Sequence, residues 1–231
     1  MIGRCLESVR DDVDEMVVLD MQSRDSTRAI AEDLGARVSA VPITRKFDGV
    51  RQRGVELLST DWVFQLDADE WAPNVIPELE KLGHLEHERA VAFPRMNYLG
   101  DRWIVRNAWW PNYQVRMFRR DRGYYTDGFH RFLVTEGEPV RLPRDPRFAI
   151  RHAGHEDASA MIESVARYVP DSTPLTLKDM MMLTARPLGA FVVSRGWKDG
   201  SDGFAILIAK LINSLAVASD GNQTEDSAPS R

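Results

Sequence analysis

Through residues 1–94, short apolar runs alternate with helical stretches, and two of the runs break off into carboxylates. Residues 3–10 read as the end of a helix. Glu15–Asp20 reads as a short buried strand, followed by a loop over Met21–Asp25. Ser26-Thr27 opens a helix that continues through Leu34 and is stopped by Gly35. Ala36–Val41 is a second strand, and 48–59 a helix with Val50, Val55, Leu57 and Leu58 as its apolar positions. Asp61–Leu66 is a third strand that runs straight into Asp67-Ala68-Asp69-Glu70. Pro73–Leu82 is helical and Ala90–Phe93 a fourth strand. Strands alternating with helices at this spacing predict an α/β chain with a mostly parallel, doubly wound sheet flanked by helices. Ligands of such sheets gather outside the carboxyl ends of the strands. Both acidic clusters, Asp20–Asp25 and Asp67–Glu70, fall at that edge.

The texture changes at Tyr98. Aromatic residues and arginines interleave through His155, including Trp103, Trp109, Trp110, Tyr113, Phe118, Tyr124 and Tyr125. Short β segments are expected at Gln114–Arg119, Phe129–Thr135 and Phe148–Arg151, as a partly antiparallel extension of the sheet. Residues 156–218 read as helical, and Phe204–Val217 is apolar nearly all round. That stretch is too short to span a bilayer and suits burial or an interfacial position, with Arg186, Arg195 and Lys198 nearby. Residues 219–231 read as a polar, disordered tail. The expected organisation is therefore a domain over 1–155, a helical region over 156–218 and the tail.

The chain has 231 residues and a net charge of −5, unevenly spread. Residues 1–94 carry −8, residues 95–151 carry +6 from arginine alone, and residues 152–231 carry −3. A simple nucleic-acid binder would be basic overall, so nucleic acid is not an expected partner. The pattern suits a protein that holds a cation in one place and an anion in another. Arginine favours a bidentate grip on phosphate or carboxylate. The single cysteine, Cys5, excludes an internal disulfide framework and a multi-cysteine zinc site, and it fits a reducing, cytoplasmic setting. The N-terminus opens with charged residues and has no apolar core of a secretory signal.

The carboxylates of Asp67-Ala68-Asp69-Glu70 sit where two of them can turn toward one hard cation. A Mg²⁺ or Mn²⁺ ion there would bridge a diphosphate and neutralise it on departure. A solvated acidic loop is the plainer reading of an isolated D-x-D. In the first cluster, Asp25 or Ser26 is placed to cap the following helix. That leaves Asp20, at the strand end, to bond a base or ribose.

The segments "CLESV…VDEMVVLDMQSRDSTRAIAEDLGARV" and "DWVFQLDADEW" resemble the family 2 glycosyltransferases, whose fold is the nucleotide-diphospho-sugar-binding GT-A type. The later "NYLGDRWI…WWPNYQVRMFRR" and "RGWKDGSDGFAILIAK" resemble a bacterial branch that builds lipopolysaccharide core or other surface glycans. The resemblance implies an inverting transfer of a sugar from a nucleotide-diphospho-sugar donor to a hydroxyl of a glycan or lipid-linked acceptor. It implies peripheral contact with the inner face of the plasma membrane. Asp20 and Asp25 would lie in the nucleotide-binding motif, Asp20 on the base. Asp67 would lie on the ribose or diphosphate side, and Arg53 near the diphosphate. Asp69 would bind Mg²⁺ or Mn²⁺, with His152 as a further ligand. Arg116 or Arg119 would stabilise the leaving diphosphate, and Trp110, with Trp109 and Tyr113, would offer a ring to a sugar.

Three departures from the pattern stand out. The family's opening strand and its nucleotide-holding loop would precede Met1, so either the start lies upstream or one edge of the pocket is missing. The branch's His-Glu is His130-Arg131 here, which leaves Asp127 as the nearest candidate base. The branch's Gln-Arg-Asn is Gln52-Arg53-Gly54. Two alternatives remain open: a GT-A-like chain that no longer binds donor, and a nucleotidyltransferase on a related sheet. The second would need a glycine-rich phosphate loop near the N-terminus.

Overall fold

A computed structural model describes residues 1–44, 47–83, 88–126, 133–166 and 177–225. The chain forms two compact units: residues 1–95 with 113–152, and residues 96–112 with 153–231.

The first unit opens with α1 (Ile2–Glu7), which buries Ile2, Cys5 and Leu6, the i, i+3, i+4 stripe of an amphipathic helix. Next come β1 (Val17–Asp20), α2 (Thr27–Asp33) and β2 (Arg37–Ala40). As the sequence predicts, Gly35 ends α2. It adopts φ +88°, and the Gly35 and Ala36 amides donate to the carbonyls of Glu32 and Ala31, both at 2.9 Å. These two bonds satisfy the last turn of the helix in a Schellman arrangement. β1 and β2 pair in parallel, with Asp20 opposite Ala40. Ile2 and Leu6 pack with Ala31 and Ala36 beneath them.

α3 (Phe47–Leu57) packs on β1 and is followed by β3 (Trp62–Phe64), β4 (Glu70–Trp71) and α4 (Val75–Glu80). β5 (Ala90–Leu99) is longer than the expected Ala90–Phe93 and runs on past Pro94, with most of its side chains buried. β6 (Arg102–Trp103) pairs with the end of β5. β7 (Asn112–Arg119), β8 (Gly123–Tyr125), β9 (Leu133–Thr135) and β10 (Val140–Arg141) come next. A 3₁₀ turn over Pro146–Phe148 precedes β11 (Ile150–His155). The expected strand Phe148–Arg151 is therefore displaced toward the C-terminus. Asp145 accepts a bond from the Arg147 amide at 2.9 Å and holds Phe148 in the turn.

The α/β class and the flanking helices are as expected, but the sheet is mixed rather than mostly parallel. Its order is β3-β7-β5-β11-β4, with β10 also on β5. Among the described pairings β1–β2 and β10–β5 are parallel. β3–β7, β11–β4, β5–β6 and β8–β9 are antiparallel. The reason is insertion: β7, from the aromatic- and arginine-rich segment, lies between β3 and β5. Strand–helix alternation upstream carries no trace of that. The core of the unit joins Val75, Leu79, Val91, Phe93, Phe148 and Ile150. A second cluster of Val55, Val63, Phe118 and Tyr125 lies under α3.

The second unit contains α5 (Ala158–Ala166), α6 (Leu177–Val193), a 3₁₀ turn at Gly196–Asp199 and α7 (Ser201–Glu225). α7 thus runs on past residue 218. Its Ala205, Ile206 and Ala209 close a core with Leu99, Ile104 and Met161. Arg106 and Arg102 pair with the buried Asp199 at 2.7 and 3.2 Å, and Arg102 also meets Asp202 at 2.8 Å. Among the described residues no helix is long and apolar enough to cross a membrane.

Candidate functional site

The turn between β3 and β4 gathers Asp67, Asp69 and Glu70 against Arg51, Arg95, Arg116 and His152. The Glu70 amide donates to the Asp67 carbonyl at 2.8 Å, and the Asp67 amide donates to Glu70 Oε2 at 3.2 Å. The turn therefore closes on itself through backbone and side chain. β4 pairs with β11 so that Glu70 lies opposite His152. Asp69, one residue before β4, meets His152 Nε2 through Oδ2 at 3.4 Å.

Glu70 is fully buried, and its charge is balanced from two strands. Arg116 on β7 reaches Oε1 at 2.7 Å and Arg95 on β5 reaches it at 3.1 Å. Arg116 also holds Asp67 Oδ2 at 2.7 Å, while Arg51 on α3 holds Oδ1 at 3.1 Å. With its amide turned to satisfy both ends, Gln65 links the two guanidiniums: its oxygen accepts from Arg51 Nε at 2.9 Å and Arg116 Nη1 at 3.2 Å, and its nitrogen faces the Tyr125 hydroxyl. Buried charges persist only when paired and hydrogen-bonded in this way.

The titration behaviour follows. Burial alone would raise Asp67, but Arg116 and Arg51 overcome it and hold the carboxyl below its ordinary range. Burial opposes the charge on Arg116, and Glu70 and Asp67 outweigh it, so the guanidinium is held more firmly protonated than usual. For Asp69, burial is again opposed, by the hydrogen bond and charge of His152, and the carboxyl is lowered.

α1 braces the turn from outside the sheet. Arg4 stacks over Trp71 at 3.5 Å from the ring centroid, and the Cys5 thiol donates to the Asp67 carbonyl at 3.6 Å. The Ala72 amide donates to Ser8 Oγ at 3.0 Å. Burial, then Glu70, Asp67 and Asp69, pushes the Cys5 thiol up to about 12. Cys5 is thus a neutral packing residue.

The first acidic cluster is built differently. Asp20 is buried at 3% exposure and accepts the Ser23 amide on Oδ1 at 3.0 Å. Hydrogen bonding from the Ser23 side chain, then from its amide, outweighs burial and lowers the Asp20 carboxyl. Asp25 is exposed and accepts the Thr27 amide at 3.1 Å, one residue before the N-cap Ser26, which makes no side-chain capping bond. α3 joins the two clusters. A side chain at Gly54 would press on Leu19 Cδ1 at 3.0 Å, so the helix lies against the residue preceding Asp20. Arg51, three residues earlier and about 4.5 Å along the axis, grips Asp67. Both acidic turns therefore border one helix.

The other sequence candidates are placed as follows. Arg53 points to the exposed side of α3 and pairs with Glu56 at 3.3 Å. Trp110 lies in the second unit, edge-on to Trp103 with ring centroids 5.2 Å apart. Asp127 lies outside the described residues, as do His130 and Arg131. Sequence reading missed Arg51, Glu70 as a charge anchor, Arg95 and Gln65. Of these, only Arg95 was hinted at, by the excess of arginine in residues 95–151.

No group of three or more His, Cys, Asp or Glu side chains among the described residues is arranged to hold a metal by itself. The donors that fit one are Asp69 and His152, adjacent and half-exposed, with side-chain exposures of 34% and 22%. Asp67 and Glu70 are already committed to guanidiniums. A carboxylate oxygen beside an imidazole nitrogen suits a divalent ion that takes its remaining ligands from phosphate and water, Mn²⁺ more readily than Mg²⁺.

Known proteins resemble this chain in parts. A stretch of 70 residues is 43% identical to a TPR repeat-containing protein of Synechococcus elongatus, covering 30% of this chain and 17% of that one. An uncharacterized glycosyltransferase of Rickettsia felis is 42% identical over 69 residues, covering 30% of this chain and 24% of its own length. The aligned stretch thus spans a quarter or less of each relative. Among solved structures, S. aureus TarS (residues 1–349) superposes with a TM-score of 0.40 at 14% identity, covering 97% of this chain and 88% of that one. The profile of glycosyl transferase family 2 matches residues 1–136, more than half of the sequence. The chain belongs to glycosyl transferase family 2, and its α/β fold is of that family's GT-A type.

Proposed function

We propose that this protein transfers a sugar from a nucleotide-diphospho-sugar to a hydroxyl of a glycan or lipid-linked acceptor, with inversion at the anomeric carbon. One observation supports the reading above others. Asp69 and His152, far apart in the chain, meet at 3.4 Å beside a turn whose remaining carboxylates are held by arginines. Family membership supplies the reaction class.

In this reading each group has one task. Asp69 Oδ2 and His152 Nε2 would hold Mn²⁺ or Mg²⁺, which when bound would neutralise charge on the departing nucleoside diphosphate. Asp67, between Arg51 and Arg116, would face the ribose or diphosphate side. Arg116 acts as a positioning residue rather than a free phosphate clamp, because both its partners are protein carboxylates. Asp20, beside the same helix, would meet the base, and Asp25 would shape the loop in front of it. Arg53 and Trp110 are assigned to diphosphate and sugar on the resemblance alone. Asp127 is proposed on the same ground as the base that takes the acceptor's proton. Surface-glycan assembly with a lipid-linked acceptor, and peripheral contact with a membrane, complete the proposal.

Calorimetry with UDP in the presence and absence of Mn²⁺ tests it. Wild-type protein should give saturable heat that depends on Mn²⁺, and Asp69→Ala should lose it. Absence of heat from the wild type, or undiminished Mn²⁺-dependent heat from Asp69→Ala, overturns the reading.

A further inference from the structure

The second unit shows water an apolar corner that its own packing does not explain. α7 is apolar on two sides. Its inner stripe, Ala205, Ile206 and Ala209, is buried in the core. Its outer stripe, Phe204 and Ile208, lies one turn apart and is 51% and 45% exposed. α6 ends in Leu188, Val192 and Val193, with Val193 86% exposed, and the following turn carries Trp197 at 45%. These side chains belong to one corner. The buried Phe191 touches Trp197 and Phe204, with ring centroids 6.1 and 5.1 Å away. A contiguous apolar patch of this kind on a polar chain marks an interaction surface.

Its charge says what kind. Within 186–214 the acids are Asp199 and Asp202. Asp199 is buried on Arg106 and Arg102, and Asp202 is paired with Arg102. Arg186, Arg195 and Lys198 stand exposed. The corner therefore presents apolar and aromatic side chains amid three exposed cations with no ion pair among the described residues. A half-exposed Trp among aliphatic side chains beside Lys and Arg suits the headgroup level of an anionic bilayer. A second copy of the chain fits less well, because a two-fold contact sets the patch against itself and brings Arg195 and Lys198 toward their own like charges.

We propose that the α6–α7 corner, tipped by Val193 and Trp197, is the surface by which this protein rests on an anionic membrane. The inference gives a location to the peripheral contact proposed above. It does not depend on sugar transfer, since its test contains no donor.

The test is flotation of the full chain with phosphatidylcholine vesicles, with and without phosphatidylglycerol. Wild-type protein should float with the anionic vesicles, and float less as salt is raised. Val193→Asp should weaken partitioning roughly tenfold. The double variant Arg195→Glu with Lys198→Glu should remove the preference for phosphatidylglycerol. All three positions are exposed, and circular dichroism verifies the fold of each variant. The proposal is overturned if wild-type protein stays unbound, if both variants float like wild type, or if Val193→Asp dissolves a dimer that never binds vesicles. Failure of the UDP calorimetry would leave this result untouched, and the reverse also holds.

Discussion

The chain contains two acidic turns that look alike in sequence and are held by different physics. After β1, Asp20 and Asp25 are satisfied locally, by the amides of Ser23 and Thr27. After β3, Asp67 and Glu70 are satisfied by Arg51, Arg95 and Arg116, from a helix and two strands. A carboxylate that bonds the next few amides stabilises a loop and little else. A carboxylate locked to guanidiniums from other elements ties those elements together, and removing one partner leaves buried charge behind. The first turn is a local device, the second a hub.

The comparison predicts its largest effect at Arg116. Arg116→Met leaves Glu70 with one cation and Asp67 with only the half-exposed Arg51. Breaking a buried pair in this way costs about 3–5 kcal/mol. Urea denaturation should show the loss as a lowered midpoint. A loss below about 1 kcal/mol would mean the network is loosely solvated and the contrast between the turns is false.

Asp20→Ala, which removes the acceptor of the Ser23 amide, should cost about 1.5–3 kcal/mol, the range of a hydrogen bond to a charged group. The acid limb of stability sharpens the same contrast. Asp20, Asp67 and Asp69 all have depressed folded-state values. The unfolded chain therefore takes up their protons first, and their contribution is complete above about pH 4 and is lost as pH falls through the folded values. In Arg116→Met, Asp67 loses its nearer cation and its value rises. The midpoint should then fall less steeply with acid than in wild type. An unchanged acid slope would remove Asp67 from the hub.

Lys210 provides a control outside both turns. Burial, then Arg186, pulls its ammonium down to about 8. Between about pH 8 and the unfolded value near 10.4, the unfolded chain binds the extra proton. Stability should therefore rise with pH in that window. Lys210→Met should flatten the rise without altering the acid limb.

The local parts of this architecture were legible in the sequence because their causes are local. Gly35 ending α2, Asp25 beside the α2 N-terminus and the carboxylates at the strand ends follow from turn and cap chemistry within a few residues. The mixed sheet was not legible, because β7 enters between β3 and β5 from a segment whose strands have no distinctive period. Of the Asp67-Ala-Asp-Glu block, the sequence singled out Asp67 and Asp69, and it named His152, which the structure brings against Asp69. It passed over Glu70, whose importance lies in Arg95 and Arg116, two partners that only the strand order identifies.

The smallest expected effect lies within one helix. Arg51 and Arg53 are two residues apart on α3, so they point in directions about 160° apart. Sequence reasoning selected Arg53, yet it is Arg51 that meets Asp67, while Arg53 pairs with Glu56 on the exposed side. Arg53→Ala should cost no more than about 0.5 kcal/mol, as exposed i,i+3 pairs do. Arg51→Ala should exceed it by roughly 0.5–1 kcal/mol, and it alone should raise the Asp67 value and shift the acid limb. Equal small losses with no change in acid behaviour would mean that α3 contributes backbone packing on Leu19 and no charge to the hub. The joint between the two acidic turns would then be apolar.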